Sequence, residues 1–151
     1  MVNDSFTRYV NDFFRDMTGL GSGYIIGGFG LIFLLLGQVD NFFRVMFILF
    51  ATYGLSAVVR LIYFKERPAK QKYSDFIGRI DASSFPSVHT GRVVSTGMLL
   101  YGILPELLSL IVLVGGIVMY SRIHLKKHDL MDVMGGILLG GVVFWLMGLV
   151  I

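Results

Sequence analysis

The sequence predicts an all-α membrane protein, a transmembrane bundle of about five helices preceded by an amphipathic interfacial helix. Of the 151 residues, 55% are hydrophobic and only 15% are charged, whereas soluble domains carry about 25% charged residues. The mean hydropathy is +0.75, and five long apolar segments alternate with polar stretches. This length suits a single domain over residues 1–151.

The first 20 residues predict an amphipathic helix ahead of a transmembrane bundle over residues 21–151. Apolar side chains recur at steps of three and four, and charged residues occupy the other positions. The apolar positions are Phe6, Tyr9, Val10, Phe13, Phe14 and Met17. Two placements fit this pattern: the helix lies in the membrane interface, or it packs against the bundle as a covering helix.

Five apolar segments follow, and each predicts a membrane-crossing helix. A span needs about 20 residues, with a range of about 17 to 25, so the first and fourth segments need flanking residues to cross. The segments are 21–37, 42–64, 86–104, 105–120 and 133–151.

Two glycine pairs, Gly23/Gly27 and Gly136/Gly140, have the small-xxx-small spacing that lets helices approach closely in lipid. The chain contains 19 glycines, however, so abundance alone also explains the spacing. The polar linker at 65–85 is expected to be irregular and to lie at the membrane surface. Five crossings place it on the same face as the charged stretch at 121–132.

The charged stretch at 121–132 contains two of the three histidines, and Asp132 follows His128 by four residues. On a helix this spacing places both side chains on one face. A carboxylate there orients the imidazole and stabilises its charged form, which predicts a nucleophilic or basic histidine. A metal site is the alternative, because His124 extends the same face and this ligand set suits zinc. The adjacent Arg122 and two lysines favour an anion instead.

Two arginines, Arg60 and Arg67, lie seven residues apart, just before Pro68. If the second apolar helix continues to about residue 66, both lie on one face, two turns apart. The planar guanidinium group matches phosphate oxygens. Each arginine alone is also typical of a helix end, where basic side chains reach the membrane interface.

The stretch from Ser84 to Thr90 predicts a helix start with Pro86 in the first turn and Ser84 as the N-cap. The free N–H groups of that turn, together with the Ser87 hydroxyl, form an anion site. His89 then lies where it can protonate a leaving oxygen. The alternative is an ordinary capped helix with an interfacial histidine.

Together the three motifs resemble the type 2 phosphatidic acid phosphatase family of membrane lipid phosphatases. The family pattern Ser-Arg-x5-His-x3-Asp matches in full over residues 121–132. The Pro-Ser-Gly-His motif is present at residues 86–89 with Val88 in place of glycine. The Lys-x6-Arg-Pro motif is present at residues 60–68 with Arg60 in place of lysine.

The resemblance implies a metal-independent lipid phosphatase without a cofactor. His128 would attack phosphorus to form a phosphohistidine, Asp132 would orient it, and His89 would protonate the leaving alkoxide. The groups implied to bind phosphate are Arg60, Arg67, Ser87, the backbone N–H near Val88, and Arg122. The implied partners are the bilayer and a lipid phosphate, and no nucleic acid is expected. Candidate substrates are phosphatidic acid, phosphatidylglycerophosphate-like lipids, and polyprenyl phosphates or diphosphates.

Two other functions remain open at this point: a non-catalytic lipid transporter or scaffold of the same fold, and a metal-dependent hydrolase that uses His124, His128 and Asp132. Charge placement predicts the orientation in the cell membrane. Of thirteen lysine and arginine residues, all but Arg44 fall on the side of the predicted site. The positive-inside rule then predicts that this site faces the cytoplasm.

Overall fold

The structure of the protein is a computed structural model and is described for residues 4–151, so the first three residues of the predicted N-terminal segment lie outside the described residues. The all-α class is confirmed, because the described residues form seven α-helices and one short 3-10 turn, without a strand. The helices are α1 (Asp4–Gly19), α2 (Gly23–Leu35), α3 (Val39–Ile62), α4 (Phe76–Ala82), α5 (Val88–Ile103), α6 (Leu108–His124) and α7 (Leu130–Val150).

The helix lengths support fewer crossings than the five predicted. Three helices are long and apolar enough to cross a membrane: α3, α7, and α6 with its preceding turn. Helices α1 and α2 meet at a bend of 44° and add a fourth crossing if together they form one span. Helix α5 has 16 residues, which is just below the range of about 17 to 25 for a span.

Helices α5 and α7 pack along each other at the centre of the bundle. Helix α3 contacts both and is covered by α2, while α6 packs on α5 and is covered by α1. Many large apolar side chains on the outside are exposed, among them Leu35, Ile62 and Trp145. This surface suits lipid, where packing rather than the hydrophobic effect associates helices. The core residues are Ile26, Val45, Ile48, Leu99, Leu139, Val143 and Met147.

The contact between α5 and α7 depends on two glycines of α7. A Cβ at Gly140 would lie 2.6 Å from the carbonyl oxygen of Gly91, and one at Gly136 would lie 2.6 Å from that of Ser87. Any larger residue would push the helices apart. The close-approach interpretation is therefore confirmed for Gly136/Gly140. It is wrong for Gly23/Gly27, where the nearest atoms would be 3.4 and 3.7 Å away.

Helix α3 ends at Ile62, so the prediction that Arg60 and Arg67 share one helical face is wrong. The chain continues in an extended conformation because its backbone finds partners outside the helix. The N–H of Lys65 donates to Ser83 Oγ at 3.2 Å, and its carbonyl oxygen accepts from the Ser84 N–H at 2.8 Å. The linker also differs from the expected irregular loop, because it contains α4.

Helix α1 covers α6 with one face and leaves the other exposed. The ring of Phe14 packs on Tyr120 and His124, with centroids 5.2 and 4.5 Å away. On the outer face, Phe6 and Tyr9 are 65% and 73% exposed. These contacts fit the covering-helix placement, and the aromatic outer face remains available to a membrane interface.

Candidate active site

A polar cavity of about 220 Å³ opens at the end of the bundle where α3 ends and α5 begins. It brings together six of the eight residues that the sequence analysis selected: Arg60, Arg67, Val88, His89, Arg122 and His128. The other two, Ser87 and Asp132, are fully buried behind the wall. The remaining lining residues are Tyr53, Gln71, Asp81 and Arg92.

Three arginines of the cavity are held in place by neutral acceptors. The Nη2 group of Arg60 donates to the carbonyl oxygen of Pro86 at 3.0 Å. The Nη1 groups of Arg67 and Arg122 donate to Gln71 Oε1 at 2.7 Å and to Thr18 Oγ1 at 2.9 Å. Neutral acceptors orient the guanidinium groups without neutralising their charge.

The same cavity concentrates unpaired donors. Arg60, Arg67, Arg92 and Arg122 each have a buried Nε without a hydrogen-bond partner among the described residues. A buried donor without a partner costs about 1–3 kcal/mol, and more when it is charged. Burial lowers the pKa of Arg67, but an arginine remains protonated at neutral pH. Four cationic donors around one cavity therefore form a site for an oxyanion.

The imidazole of His128 lies at the cavity wall and is only 2% exposed. Its Nδ1 faces Asp132 Oδ2 at 3.6 Å, which is longer than a hydrogen bond. Burial lowers the pKa of His128, and the nearby Arg122 and Arg67 add to this effect, while Asp132 opposes it. The net direction is downward, so the ring is neutral at pH 7 and its free nitrogen can act as a nucleophile.

The carboxylate of Asp132 is fixed by two neighbours, Lys65 and Asp129. Its Oδ1 accepts from Lys65 Nζ at 2.8 Å, and its Oδ2 accepts from the Asp129 N–H at 2.9 Å. The same lysine also donates to Asp129 Oδ2 at 2.6 Å. Burial alone would lower the pKa of Lys65, but the two carboxylates outweigh it and raise the pKa. Lys65 therefore stays charged and holds Asp132 behind His128.

The N-terminus of α5 is capped by Ser87, so the prediction that Ser84 is the N-cap is wrong. The Oγ of Ser87 accepts from the Thr90 N–H at 3.5 Å and from Thr90 Oγ1 at 3.0 Å. The first N–H groups of a helix have no acceptor within it. Those of Val88 and His89, which line the cavity, are therefore available to an anion.

The metal-site alternative required three ligands on one helical face, and the structure separates them. Helix α6 ends at His124, and α7 begins only at Leu130. The His124 ring turns away toward α1, where its Nε2 lies 2.9 Å from Asn11 Oδ1. Among the residues that the structure describes, no group of three or more His, Cys, Asp or Glu is arranged to hold a metal ion.

Lys65 and four residues of the cavity lining belong to none of the three motifs in the sequence. Lys65 lies between Arg60 and Arg67, but its partners are 64 and 67 residues away, so no local pattern identifies it. Only the spacing of Arg92 could have identified it as a site residue. It follows His89 by three residues and therefore lies on the same face of α5. Tyr53, Gln71 and Asp81 carried no signal in their spacing.

The family model of the PAP2 superfamily matches residues 41–151, which include all three motifs and most of the chain. The chain belongs to the PAP2 superfamily. The resemblance seen in the motifs is thus confirmed. In this superfamily member the two departures from the family pattern, Arg60 and Val88, both line the cavity. The valine side chain occupies space that a glycine would leave open.

A solved structure supports the same fold. The chain is similar to the crystal structure of the first transmembrane PAP2-type phosphatidylglycerolphosphate phosphatase from Bacillus subtilis, with a TM-score of 0.64 and 20% sequence identity. The match covers 93% of this chain and 75% of the other. No curated protein matches the sequence.

Proposed function

We propose that this chain is a membrane lipid phosphatase that hydrolyses a lipid phosphomonoester or diphosphate through a phosphohistidine, without a metal ion. The observation that carries the proposal is the cavity itself. A buried neutral histidine shares its wall with four arginines whose Nε donors lack partners. Membership of the PAP2 superfamily and the similarity to a PAP2-type lipid phosphatase support the same conclusion.

The first chemical step transfers the phosphoryl group to His128. Its Nδ1 faces Asp132, so Nε2 is the nitrogen that attacks phosphorus. As the N–P bond forms, the P–O bond to the leaving group breaks. The leaving oxygen, which belongs to an alkoxide from a phosphomonoester or to a lipid phosphate from a diphosphate, takes a proton from His89. Asp132 stabilises the positive charge that develops on the attacking ring.

The second step returns the enzyme to its starting state. A water molecule attacks the phosphohistidine and loses a proton to His89, the N–P bond breaks, and inorganic phosphate leaves. In both steps Arg60, Arg67 and Arg122, together with the N–H groups at the start of α5, stabilise the equatorial oxygens. Such preorganised donors provide most of the catalysis in phosphoryl transfer, and here they supply the charge that metal ions supply elsewhere.

The position of the cavity supports a lipid substrate, and the distribution of basic residues supports an orientation. It lies at the end of apolar helices, where a lipid headgroup meets the bilayer surface, so phosphatidic acid, phosphatidylglycerophosphate and polyprenyl phosphates or diphosphates are the candidates. Apart from Arg44, the basic residues fall in segments that the sequence predicts on this side of the membrane. The positive-inside rule therefore supports a cytoplasmic site in the cell membrane.

The experiment measures phosphate release from these lipids in detergent with EDTA, for the wild type and for His128→Ala. We expect release that survives EDTA and falls at least about 1,000-fold in the variant, because loss of a nucleophile leaves only binding and electrostatic stabilisation. His124→Ala is the matched control, since this histidine is four residues away and bonds to Asn11 outside the cavity. It should retain most of the activity.

Other results would point to the alternatives. Release that EDTA abolishes would mean a metal-dependent hydrolase and would contradict the proposed mechanism. Release that persists in His128→Ala would contradict the assignment of the nucleophile. An absence of release from every lipid by a folded wild type would favour a transporter or scaffold.

A further inference from the structure

Arg92 lies in the cavity but is not part of the motifs that define the superfamily. It follows His89 by three residues on α5, which places it one turn, about 4.5 Å, further along the helix. That direction leads away from the N-terminus of α5 and into the bundle. If His89 is beside the leaving oxygen, Arg92 lies beside the next group of the substrate on its lipid side.

The guanidinium of Arg92 carries a charge that the protein does not balance. It forms an ion pair with none of the carboxylates in the described residues, and its buried Nε has no hydrogen-bond partner there. One acidic side chain, Asp81, lines the cavity, and its carboxylate accepts a hydrogen bond from Tyr53 at 3.2 Å instead.

A second positive group lies next to Arg92. A Cβ built on Gly23, the first residue of α2, would be only 3.4 Å from Arg92 Nη1, so the guanidinium lies against the N-terminus of that helix. The first N–H groups of a helix are unpaired within it and carry a partial positive charge. The helix end therefore adds to the positive charge at Arg92, and an anion bound to the guanidinium on its cavity side offsets both charges.

We propose that Arg92, with the N-terminus of α2 behind it, forms a second anion subsite in the cavity, which binds a second phosphate group on the lipid side of the leaving oxygen. The inference rests on the proposed phosphatase function and narrows its substrate class. The second phosphate is attached directly in a lipid diphosphate and through a glycerol in a phosphatidylglycerophosphate. Phosphatidic acid, which has one phosphate group, leaves the subsite empty.

The test compares Arg92→Gln with the wild type on two pairs of substrates. One pair is a prenyl diphosphate and the matching monophosphate, and the other is phosphatidylglycerophosphate and phosphatidic acid with the same acyl chains. A lost hydrogen bond to a charged group lowers kcat/KM by about 10- to 100-fold. We expect this loss for the two-phosphate member of at least one pair and a much smaller loss for its partner.

The pair that shows the loss identifies how the two phosphate groups of the substrate are linked. A loss in the prenyl pair indicates a direct link, and a loss in the glycerolipid pair indicates a glycerol between them. Arg92→Lys should recover part of the loss, because it keeps the charge and loses the planar fork. Arg79→Gln is the charge-matched control, since this arginine is exposed, stacks on Phe64 and does not line the cavity. Equal losses on both members of each pair, or no loss, would overturn the proposal.

A binding measurement separates this inference from the proposed phosphatase activity. The same lipid pairs are titrated onto His128→Ala and onto the double variant with Arg92→Gln. We expect tighter binding of the two-phosphate lipid by His128→Ala and loss of that preference in the double variant. This result would support the subsite even if the wild type released no phosphate. Equal affinities for both members of every pair would overturn the subsite even if the wild type were active.

Discussion

Helix α5 has two very different neighbours in α7 and α6. Toward α7 the backbones nearly touch, and the Ser87 N–H donates to the carbonyl oxygen of Asp132 at 3.0 Å. Toward α6 the packing leaves an apolar cavity of about 370 Å³, and a Cβ on Gly116 of α6 would meet nothing within 4 Å. The close contact joins the helix that carries His89 to the helix that carries Asp132. Packing is thus tight between the two helices whose proposed catalytic groups must keep a fixed separation.

Among changes that leave His128 in place, the largest effect should come from opening the close contact with Gly136→Val. The added Cβ would lie 2.6 Å from the Ser87 carbonyl oxygen and 2.7 Å from Thr90 Cβ, so α5 and α7 must separate. A displacement of about 1 Å at catalytic groups can reduce the rate about 100-fold. We therefore expect phosphate release to fall by at least that factor, and Tm to fall as well.

Gly141→Val is the matched control for that variant. It introduces the same side chain on the same helix, where a Cβ would meet nothing within 4 Å. It should keep nearly the wild-type rate and Tm. If Gly136→Val were as active as Gly141→Val, the close contact would not be what positions the catalytic groups.

A smaller effect is expected from Lys65→Met, which leaves the close contact intact and removes the cation that holds Asp132. The change takes a charged hydrogen bond from a fully buried carboxylate. We expect kcat to fall about 10- to 100-fold with little change in KM, because Lys65 does not line the cavity. Lys65→Arg should restore part of the rate.

The comparison for Lys65 is Lys70→Met, in the same linker. Lys70 pairs with Glu66 on the surface, where both side chains are largely exposed, and such pairs contribute about 0–1 kcal/mol. This variant should therefore behave as the wild type. Equal rates for Lys65→Met and Lys70→Met would remove Lys65 from the site, and a change confined to KM would indicate substrate binding instead of positioning.

The smallest effect concerns the pH dependence of kcat. It tests His128, which lies in the loop between α6 and α7. His128 must be neutral to attack phosphorus, and burial lowers its pKa below the ordinary value of about 6.5. As the pH falls through 6.5, kcat should therefore hold, and it should decline only at lower pH. The decline should be the same in His124→Gln. A decline centred at or above pH 6.5 would mean that water or Asp132 outweighs burial at this ring.

The sequence was sufficient to predict the helical class and to predict that the three motifs lie at one site, because periodicity and motif spacing are local properties. It was not sufficient for the details that depend on contacts between distant segments. Arg67 lies outside α3, because the backbone of Lys65 forms hydrogen bonds with Ser83 and Ser84 instead of continuing the helix. The pairs Gly23/Gly27 and Gly136/Gly140 have the same spacing in the sequence. They differ only in the structure, where α5 packs closely against Gly136/Gly140. The role of Lys65 could not be predicted from the sequence, because its carboxylate partners, Asp129 and Asp132, come from the start of α7.

The hydrogen bond from Arg122 to Thr18 joins residues that are 104 positions apart in the chain. During synthesis Thr18 leaves the ribosome about 100 residues before Arg122. Helix α1 therefore acquires this partner late, and Arg122 is held in the cavity only when α6 has docked on α1. Until then the cavity lacks one of its four guanidinium groups.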